Sequence, residues 1–373
     1  MATSVARKVP GIASIPKTMR AAVFAGRGRV ELQDKPVPDI GTGDALVRIT
    51  TTTVCGTDVH IVKGEYPVEP GRTLGHEPVG AIARLGAGVT GYEVGQRVIV
   101  GAITPCGQCH ACLDGDRSQC GASTEPGFPR ALGGWRFGNT IDGCQAEYVR
   151  VPHAMANLTP VPDGLTDEQV LMCPDIMSTG FGGAENGGIK VGDTVVVFAQ
   201  GPIGLCATAG ARLRGSTRII AVDGVPDRLD ASRRLGADVT VNYKEADPVE
   251  VVHERTGGRG ADVAIEALGT QQTFESALRA IRPGGVLSSL GVYSGKLGLP
   301  PDAFAAGLGD HKIVTTLCPG GKERMRRLVE VVASGRVNLQ PLVTHRFTLD
   351  QVVEAYDLFA NQRDGVLKVA ITV

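Results

Sequence analysis

Two hydrophobic rhythms divide the chain. From residue 194 to residue 290, short β-branched runs alternate with helix-period stretches: Thr194–Phe198, a helix from Gly204 to Leu213, Ile219–Val222, a helix from Arg228 to Leu235, Val239–Asn242, Val263–Glu266, a helix from Thr273 to Ile281, and Gly285–Leu290. Repeating strand and helix units of this length predict an α/β domain built on a doubly wound parallel sheet. Pro283-Gly284-Gly285 should end one helix and open the next strand. Up to about Met177 the pattern is strand-rich and loop-rich, with Gly/Pro punctuation and no long amphipathic helix. That predicts a β-barrel-like domain, opening on the strand Arg20–Phe24. After about Thr316 the alternation stops.

Composition narrows the function classes. The 373 residues carry 38 basic and 39 acidic side chains, a net charge of −1 and only 4% aromatics. No block of like charge forms a phosphate-binding stripe, and Arg324-Met325-Arg326-Arg327 reads as a helix face, so nucleic acid is not an expected partner. No apolar run is long enough to span a membrane. Residues 1–18 contain no acid and no secretory apolar core, and read as a dispensable extension of a cytoplasmic protein.

Candidate chemistry starts with the cysteines. Cys106, Cys109, Cys112 and Cys120 are spaced so that their thiolates can converge on one tetrahedral zinc. Four sulfurs leave no open position, so this site should hold structure. Two disulfides are the alternative, but thiols clustered this way without a secretion signal are more often metal ligands. A second, open site is suggested by Cys55-Gly56-Thr57-Asp58-Val59-His60 followed by Gly75-His76-Glu77, which supply thiolate, imidazole and carboxylate in one segment. Singly, Cys55 would be a small buried hydrophobe and His76 a satisfied histidine. Cys144, Cys206 and Cys318 are expected to be buried thiols.

The run Val195-Val196-Val197-Phe198-Ala199-Gln200-Gly201-Pro202-Ile203-Gly204 is a strand, turn and helix signature. Gly201 would admit a pyrophosphate to the backbone and Gly204 would let the helix pack on the strand, as in a Rossmann dinucleotide site. Ala199 replaces the first glycine of that pattern. Arg218–Asp223 is a second strand ending in an acid at about the distance expected for a ribose-binding carboxylate. Asp223 would repel a 2′-phosphate, which favours NAD over NADP; its alternative role is a helix cap before Pro226-Asp227-Arg228.

Together these motifs resemble the zinc-dependent medium-chain alcohol dehydrogenases, from Met19 to Val373. The resemblance implies a GroES-like catalytic domain over 19–177 with a zinc lobe at about 105–121, an NAD-binding Rossmann domain over 178–316, and a return to the catalytic domain over 317–373. Substrate and cofactor would meet between the domains. It implies one structural and one catalytic zinc per chain, the latter held by Cys55, His76 and, in Cys173-Pro174-Asp175-Ile176-Met177-Ser178-Thr179-Gly180, Asp175. Cys173 is a second metal-competent residue there. Glu77 is a fourth ligand or a neighbour of the metal, and Asp58 orients His76. By the same resemblance Thr57 takes the alcohol proton and passes it towards His60, whose alternative is a surface histidine on an exposed strand face. Thr179, Gly201, Pro202, Ile203, Gly204, Asp223 and Arg228 bind the cofactor. Gly134-Trp135-Arg136-Phe137-Gly138-Asn139 is similar to a segment of the bacterial secondary-alcohol branch, where Trp135 would shape the pocket. The best-known members of that branch lack the four-cysteine lobe and use NADP, whereas this chain has the lobe and Asp223. The expected activity is reversible oxidation of small secondary alcohols with NAD, in a homotetramer. Alternatives are a glutathione-independent formaldehyde or primary-alcohol dehydrogenase, an NAD-binding sensor, and a zinc-stabilised scaffold.

Overall fold

The computed structural model describes residues 14–121, 133–293 and 295–373; the rest, including 1–13 of the N-terminal extension, lie outside the described residues. The chain divides into two compact units. One holds the chain through Pro174 with Gly320–Ala333 and Val343–Val373, and the other holds Asp175–Pro319 with Ser334–Leu342.

The first unit is built on a seven-stranded sheet. Its strands run in the order Val343–Thr348, Lys368–Thr372, Ala45–Thr53, Val79–Leu85, Arg97–Val100 and Leu158–Pro160, with Tyr148–Val151 also paired to Ala45–Thr53. Ala45–Thr53 is buried at most positions, as its Ala-Leu-Val and Thr-rich sequence requires of a central strand. It runs antiparallel to Val79–Leu85, with Thr51 opposite Val79. That register places Cys55, just past the end of one strand, beside His76 and Glu77, just before the start of the other. A separate antiparallel pair, Thr18–Gly26 with Arg29–Pro36, covers apolar side chains of this unit.

The second unit contains a six-stranded parallel sheet in the order Val239–Asn242, Arg218–Asp223, Thr194–Phe198, Ala261–Glu266, Ile281–Ser289, Lys312–Thr315. The strand order reverses between Thr194–Phe198 and Ala261–Glu266, the topological switch point at whose carboxyl ends such sheets bind ligands. The expected doubly wound sheet is therefore present, with three differences of detail. Lys312–Thr315 adds an edge strand that its short, largely exposed sequence concealed. Helices Ser178–Asn186 and Pro248–Arg255 lie outside the anticipated alternation. Pro283-Gly284-Gly285 does not open a strand but sits inside Ile281–Ser289, where the pairing jumps from Ala261↔Ile281 to Val263↔Val286. The jump loops the Pro-Gly-Gly segment out of the ladder, so the missing Pro283 N–H leaves no bond unmade.

Candidate active site

Cys55, His76, Glu77 and Asp175 each offer a ligand atom, these atoms lie within 4.8 Å of one another, and all four residues are buried. Cys55 caps the helix Gly56–Val62, so Thr57-Asp58-Val59-His60 is helical where a strand face was the alternative. The Cys55 N–H donates to Asp58 Oδ2 at 2.9 Å. Asp58 Oδ1 accepts from Gly75 N at 3.3 Å and stands 3.4 Å from His76 Nδ1. With Nδ1 turned to the Asp58 carboxylate, Nε2 is the ring nitrogen placed to ligate.

Two residues that sequence reasoning missed complete this scaffold. Gln145 Nε2 donates to Asp58 Oδ2 at 3.2 Å and to Thr53 O at 2.9 Å, and Tyr356 OH donates to Gln145 Oε1 at 2.7 Å. Burial pushes the Tyr356 hydroxyl far above its usual range, which keeps it a donor. Gly75, at φ +88°, allows the close approach, since a Cβ there would come within 2.5 Å of Gln145 Cγ.

Asp175 lies in a π-helical turn, Cys173–Met177, a wide turn that recurs at functional sites. The preceding Pro174 carbonyl accepts from Ala102 N at 2.9 Å, and Thr179 Oγ1 donates to Asp175 Oδ1 at 3.0 Å. Cys173 is fully buried outside the donor group, its thiol pushed up to about 12 by desolvation. Glu77 Oε1 receives Lys368 Nζ at 2.6 Å with both side chains about 1% exposed. A thiol, an imidazole and two carboxylates in one dry cluster, facing the Lys368 ammonium, form a mixed S/N/O set that fits zinc and needs a cation to be stable when ionised.

The second cysteine set is equally specific. The four sulfurs of Cys106, Cys109, Cys112 and Cys120 lie within 4.8 Å of one another, with 4.0 Å between Cys106 and Cys112 and 3.9 Å between Cys109 and Cys120. A disulfide needs about 2.05 Å, whereas a tetrahedron of sulfurs about 2.3 Å from zinc has edges of about 3.8 Å. The lobe thus has zinc spacing. Burial pushes Cys112 up to about 12; burial opposes ionisation at Cys109 too, but hydrogen bonds from the Gly121 and Cys112 amides bring it to about 6. Full ionisation of the quartet requires a cation. None of the nine cysteines, all among the described residues, is in a disulfide, and Cys144, Cys206 and Cys318 are buried as expected.

Thr57 and His60 stand three apart on the short helix and so share a face, Thr57 half-buried and His60 exposed. His60 Nδ1 bonds the Glu65 carboxylate, which holds that carboxyl below its usual range. The His60 ring packs at 5.7 Å on Tyr66, which meets Trp135 edge-on at 5.4 Å. Tyr66 was not foreseen from the sequence; burial, and then the Cys55 charge, raise its hydroxyl.

In the second unit, Gly201 caps the helix Pro202–Leu213, with Pro202 in its first turn, leaving the helix N-terminus open to an anion. A Cβ on Gly204 would lie 1.8 Å from Ala199 O, so only glycine fits. Asp223 is buried; Oδ2 accepts from Gln200 N at 2.7 Å, and Oδ1 from Gly224 N at 2.8 Å and Val225 N at 2.9 Å. Arg228 Nη1 stands 3.9 Å from Oδ2. The residue capping Pro226–Arg234 is Val225, so Asp223 organises the turn without capping that helix.

A buried zinc-type donor set and a six-stranded parallel sheet with a glycine turn after its first strand have the make-up of a metal-dependent oxidoreductase. Comparison with known proteins makes the class specific. Residues 41–163 match the alcohol dehydrogenase GroES-like domain and residues 202–334 the zinc-binding dehydrogenase model. The chain is 68% identical over 359 residues to an alcohol dehydrogenase of Cupriavidus necator, covering 95% of this chain and 98% of that one. It is 36% identical over 362 residues to an NADP-dependent isopropanol dehydrogenase of Entamoeba histolytica, covering 95% and 96%. Alcohol dehydrogenase TADH from Thermus sp. ATN1 superposes with a TM-score of 0.85 at 33% identity, over 95% of this chain and 100% of that one. The chain belongs to the zinc-dependent medium-chain alcohol dehydrogenase family. No helix among the described residues is long and apolar enough to cross a membrane.

Proposed function

We propose that this zinc alcohol dehydrogenase reversibly oxidises small secondary alcohols to ketones with NAD. The observation that carries the reading is the buried group Cys55, His76 and Asp175 with Glu77 beside them, in which a carboxylate stands where a second thiolate could have been. Carboxylate makes the centre harder, and by resemblance such a ligand set goes with small secondary alcohols, although glutathione-independent formaldehyde dehydrogenases share the aspartate. The Entamoeba relative, an isopropanol dehydrogenase by name, supports the same class.

Bound zinc supplies a Lewis acid for the substrate oxygen, and the nicotinamide supplies the two-electron acceptor. The chain's own residues do the rest. Asp58, fixed by Gln145, holds the His76 ring, and Thr179 holds the Asp175 carboxylate. Thr57 Oγ1, half-buried, accepts the substrate hydroxyl proton as it gives up its own towards His60, which is exposed one turn on and releases a proton to water with Glu65 on its Nδ1. Trp135, braced by Tyr66, bounds the space for the smaller alkyl group. Gly201, Pro202, Ile203 and Gly204 take the pyrophosphate, with Asp223 and Arg228 at the ribose.

Asp223 favours NAD, although the Entamoeba relative is named for NADP. Three of its acceptor positions serve backbone amides, and the remaining capacity on Oδ2 suits a ribose hydroxyl but repels a phosphate. Nine cysteines outside any disulfide suit a reducing cytoplasm. The edge strand Lys312–Thr315, with Ile313 42% and nearby Leu308 85% exposed, supports association of copies, a tetramer by likeness to the family. The deciding experiment is a panel of alcohols and carbonyls assayed with NAD(H) and NADP(H) on metal-quantified protein. Superior oxidation of 2-propanol with NAD upholds the reading; superior oxidation of formaldehyde or ethanol replaces it with a primary-alcohol or aldehyde activity.

A further inference from the structure

We infer that Arg136 is a positioning residue that couples the four-cysteine lobe to the Trp135 ring. The two residues are neighbours in sequence with separate attachments. Arg136 Nη2 donates to Cys120 Sγ at 3.5 Å and Nε to Thr104 O at 3.2 Å, so one guanidinium spans a zinc-type thiolate and the backbone beside it. The main chain is tied down as well: Gly134 N donates to Ser118 O at 3.0 Å, and Thr104 N to Gly134 O at 2.9 Å. There is no slack at this point, because a Cβ on Gly134 would come within 2.6 Å of Ile103 Cγ2 and 2.8 Å of Ser118 O. Ile103 and Trp135 themselves form an antiparallel bridge.

Beyond that anchor, Trp135 Nε1 donates to Phe137 O and Asn139 Nδ2 to Trp135 O, each at 3.1 Å, which fixes the indole plane against Tyr66 at 5.4 Å. A continuous set of bonds therefore runs from Cys120 through Arg136 to the indole, and through ring contacts to Tyr66 and His60. A guanidinium that reaches a cysteine sulfur and a main-chain carbonyl at once holds two chain segments to the residue beside Trp135. Lysine could not do this, since a point charge lacks the fork that serves a sulfur and a carbonyl together. The lobe is thus more than a remote structural element: it orients the wall that selects the substrate. The selectivity part rests on Trp135 bounding the substrate site.

The test uses full-length, zinc-saturated protein and the variant Arg136→Met. Trp135 is the only tryptophan in the chain, so its emission reports this ring alone. Expected are red-shifted emission, greater acrylamide quenching, lobe zinc bound on the order of tenfold more weakly, and a several-fold fall in the kcat/KM ratio of 2-propanol to ethanol, carried by KM. Unchanged emission and quenching in this variant would overturn the coupling. Altered emission with an unchanged substrate ratio would uphold the coupling and overturn the role of Trp135 at the substrate. Should Arg136→Met not fold, Arg136→Lys, which keeps the charge and loses the fork, is read by the same criteria.

Discussion

Lys368 Nζ lies 2.6 Å from Glu77 Oε1, and neither side chain is more than about 1% exposed, although 291 residues separate them. Lys368 also donates to Val54 O at 3.3 Å, one residue before Cys55. The C-terminal strand thereby supplies a fixed positive charge beside the metal donors.

Because the pair is buried, breaking it should cost far more than a surface ion pair. Lys368→Met leaves Glu77 uncompensated beside Asp175 and is expected to destabilise the protein by about 3–5 kcal/mol. Adding Glu77→Gln removes the orphaned charge and should recover at least half of the loss. Thermal midpoints of the zinc-loaded single and double variants measure this. Equal midpoints would show that the loss is packing and not charge.

A second prediction concerns Ala199, which occupies the first-glycine position of the nucleotide turn with φ +70°. A non-glycine residue in that region costs about 1–2 kcal/mol, and glycine gives back about 0.4–1 kcal/mol through the unfolded chain's entropy. Ala199→Gly should therefore stabilise the second unit by roughly 0.5–1 kcal/mol, read as a higher urea midpoint, with cofactor affinity retained. An unchanged or lower midpoint would mean that the surrounding bonds, such as Ala199 N to Val222 O at 2.9 Å, already relieve the strain.

What the sequence disclosed and what it hid follow from distance along the chain. Cys106 to Cys120 span one short window, so spacing alone revealed a metal lobe whose sulfurs do gather within 4.8 Å. The glycine turn after Val195–Phe198 was equally local. Asp175 was reachable only through likeness to a family, because a lone aspartate beside Cys173 carries no distinguishing pattern. Gln145, Tyr356 and Lys368 could not be found at all: each reads as an ordinary polar residue, and each acquires its role from a partner 87 or more residues away. The strand Lys312–Thr315 was hidden because an edge strand of four residues has too little buried apolar surface to leave a period.

Asp223 offers a test of cofactor choice, provided its backbone role is kept separate. Asp223→Asn retains an acceptor for the amides of Gly224 and Val225, loses the one used by Gln200 N, and removes the charge, so its urea midpoint is read alongside its cofactor affinity. Loss of a charge-assisted hydrogen bond costs about 1.5–3 kcal/mol, so the dissociation constant for NADH should rise by roughly 10- to 100-fold while discrimination against NADPH relaxes. Titration of cofactor fluorescence measures both. Equal affinity of the wild type for the two cofactors would remove the assignment of Asp223 to the ribose.

The third metal ligand can be settled by two substitutions two residues apart. Cys173 is a thiol, the softer and more zinc-loving donor, yet it is fully buried away from the donor group and pushed up to about 12 by desolvation. Asp175 instead has its Oδ1 held by Thr179 and its neighbour Pro174 held by Ala102, so its carboxylate is positioned before any metal arrives. Preorganisation of that kind decides which donor is used, whatever the intrinsic preference of the ion. Cys173→Ser should keep two zinc ions per chain and turnover within a few-fold of wild type. Asp175→Ala should lose one zinc and nearly all turnover, while the four-cysteine lobe keeps its metal and the protein remains folded by circular dichroism. Metal analysis of the purified variants gives the answer directly: loss of zinc from Cys173→Ser with retention in Asp175→Ala would transfer the ligand role to the thiol, and with it the argument from a harder centre to secondary alcohols.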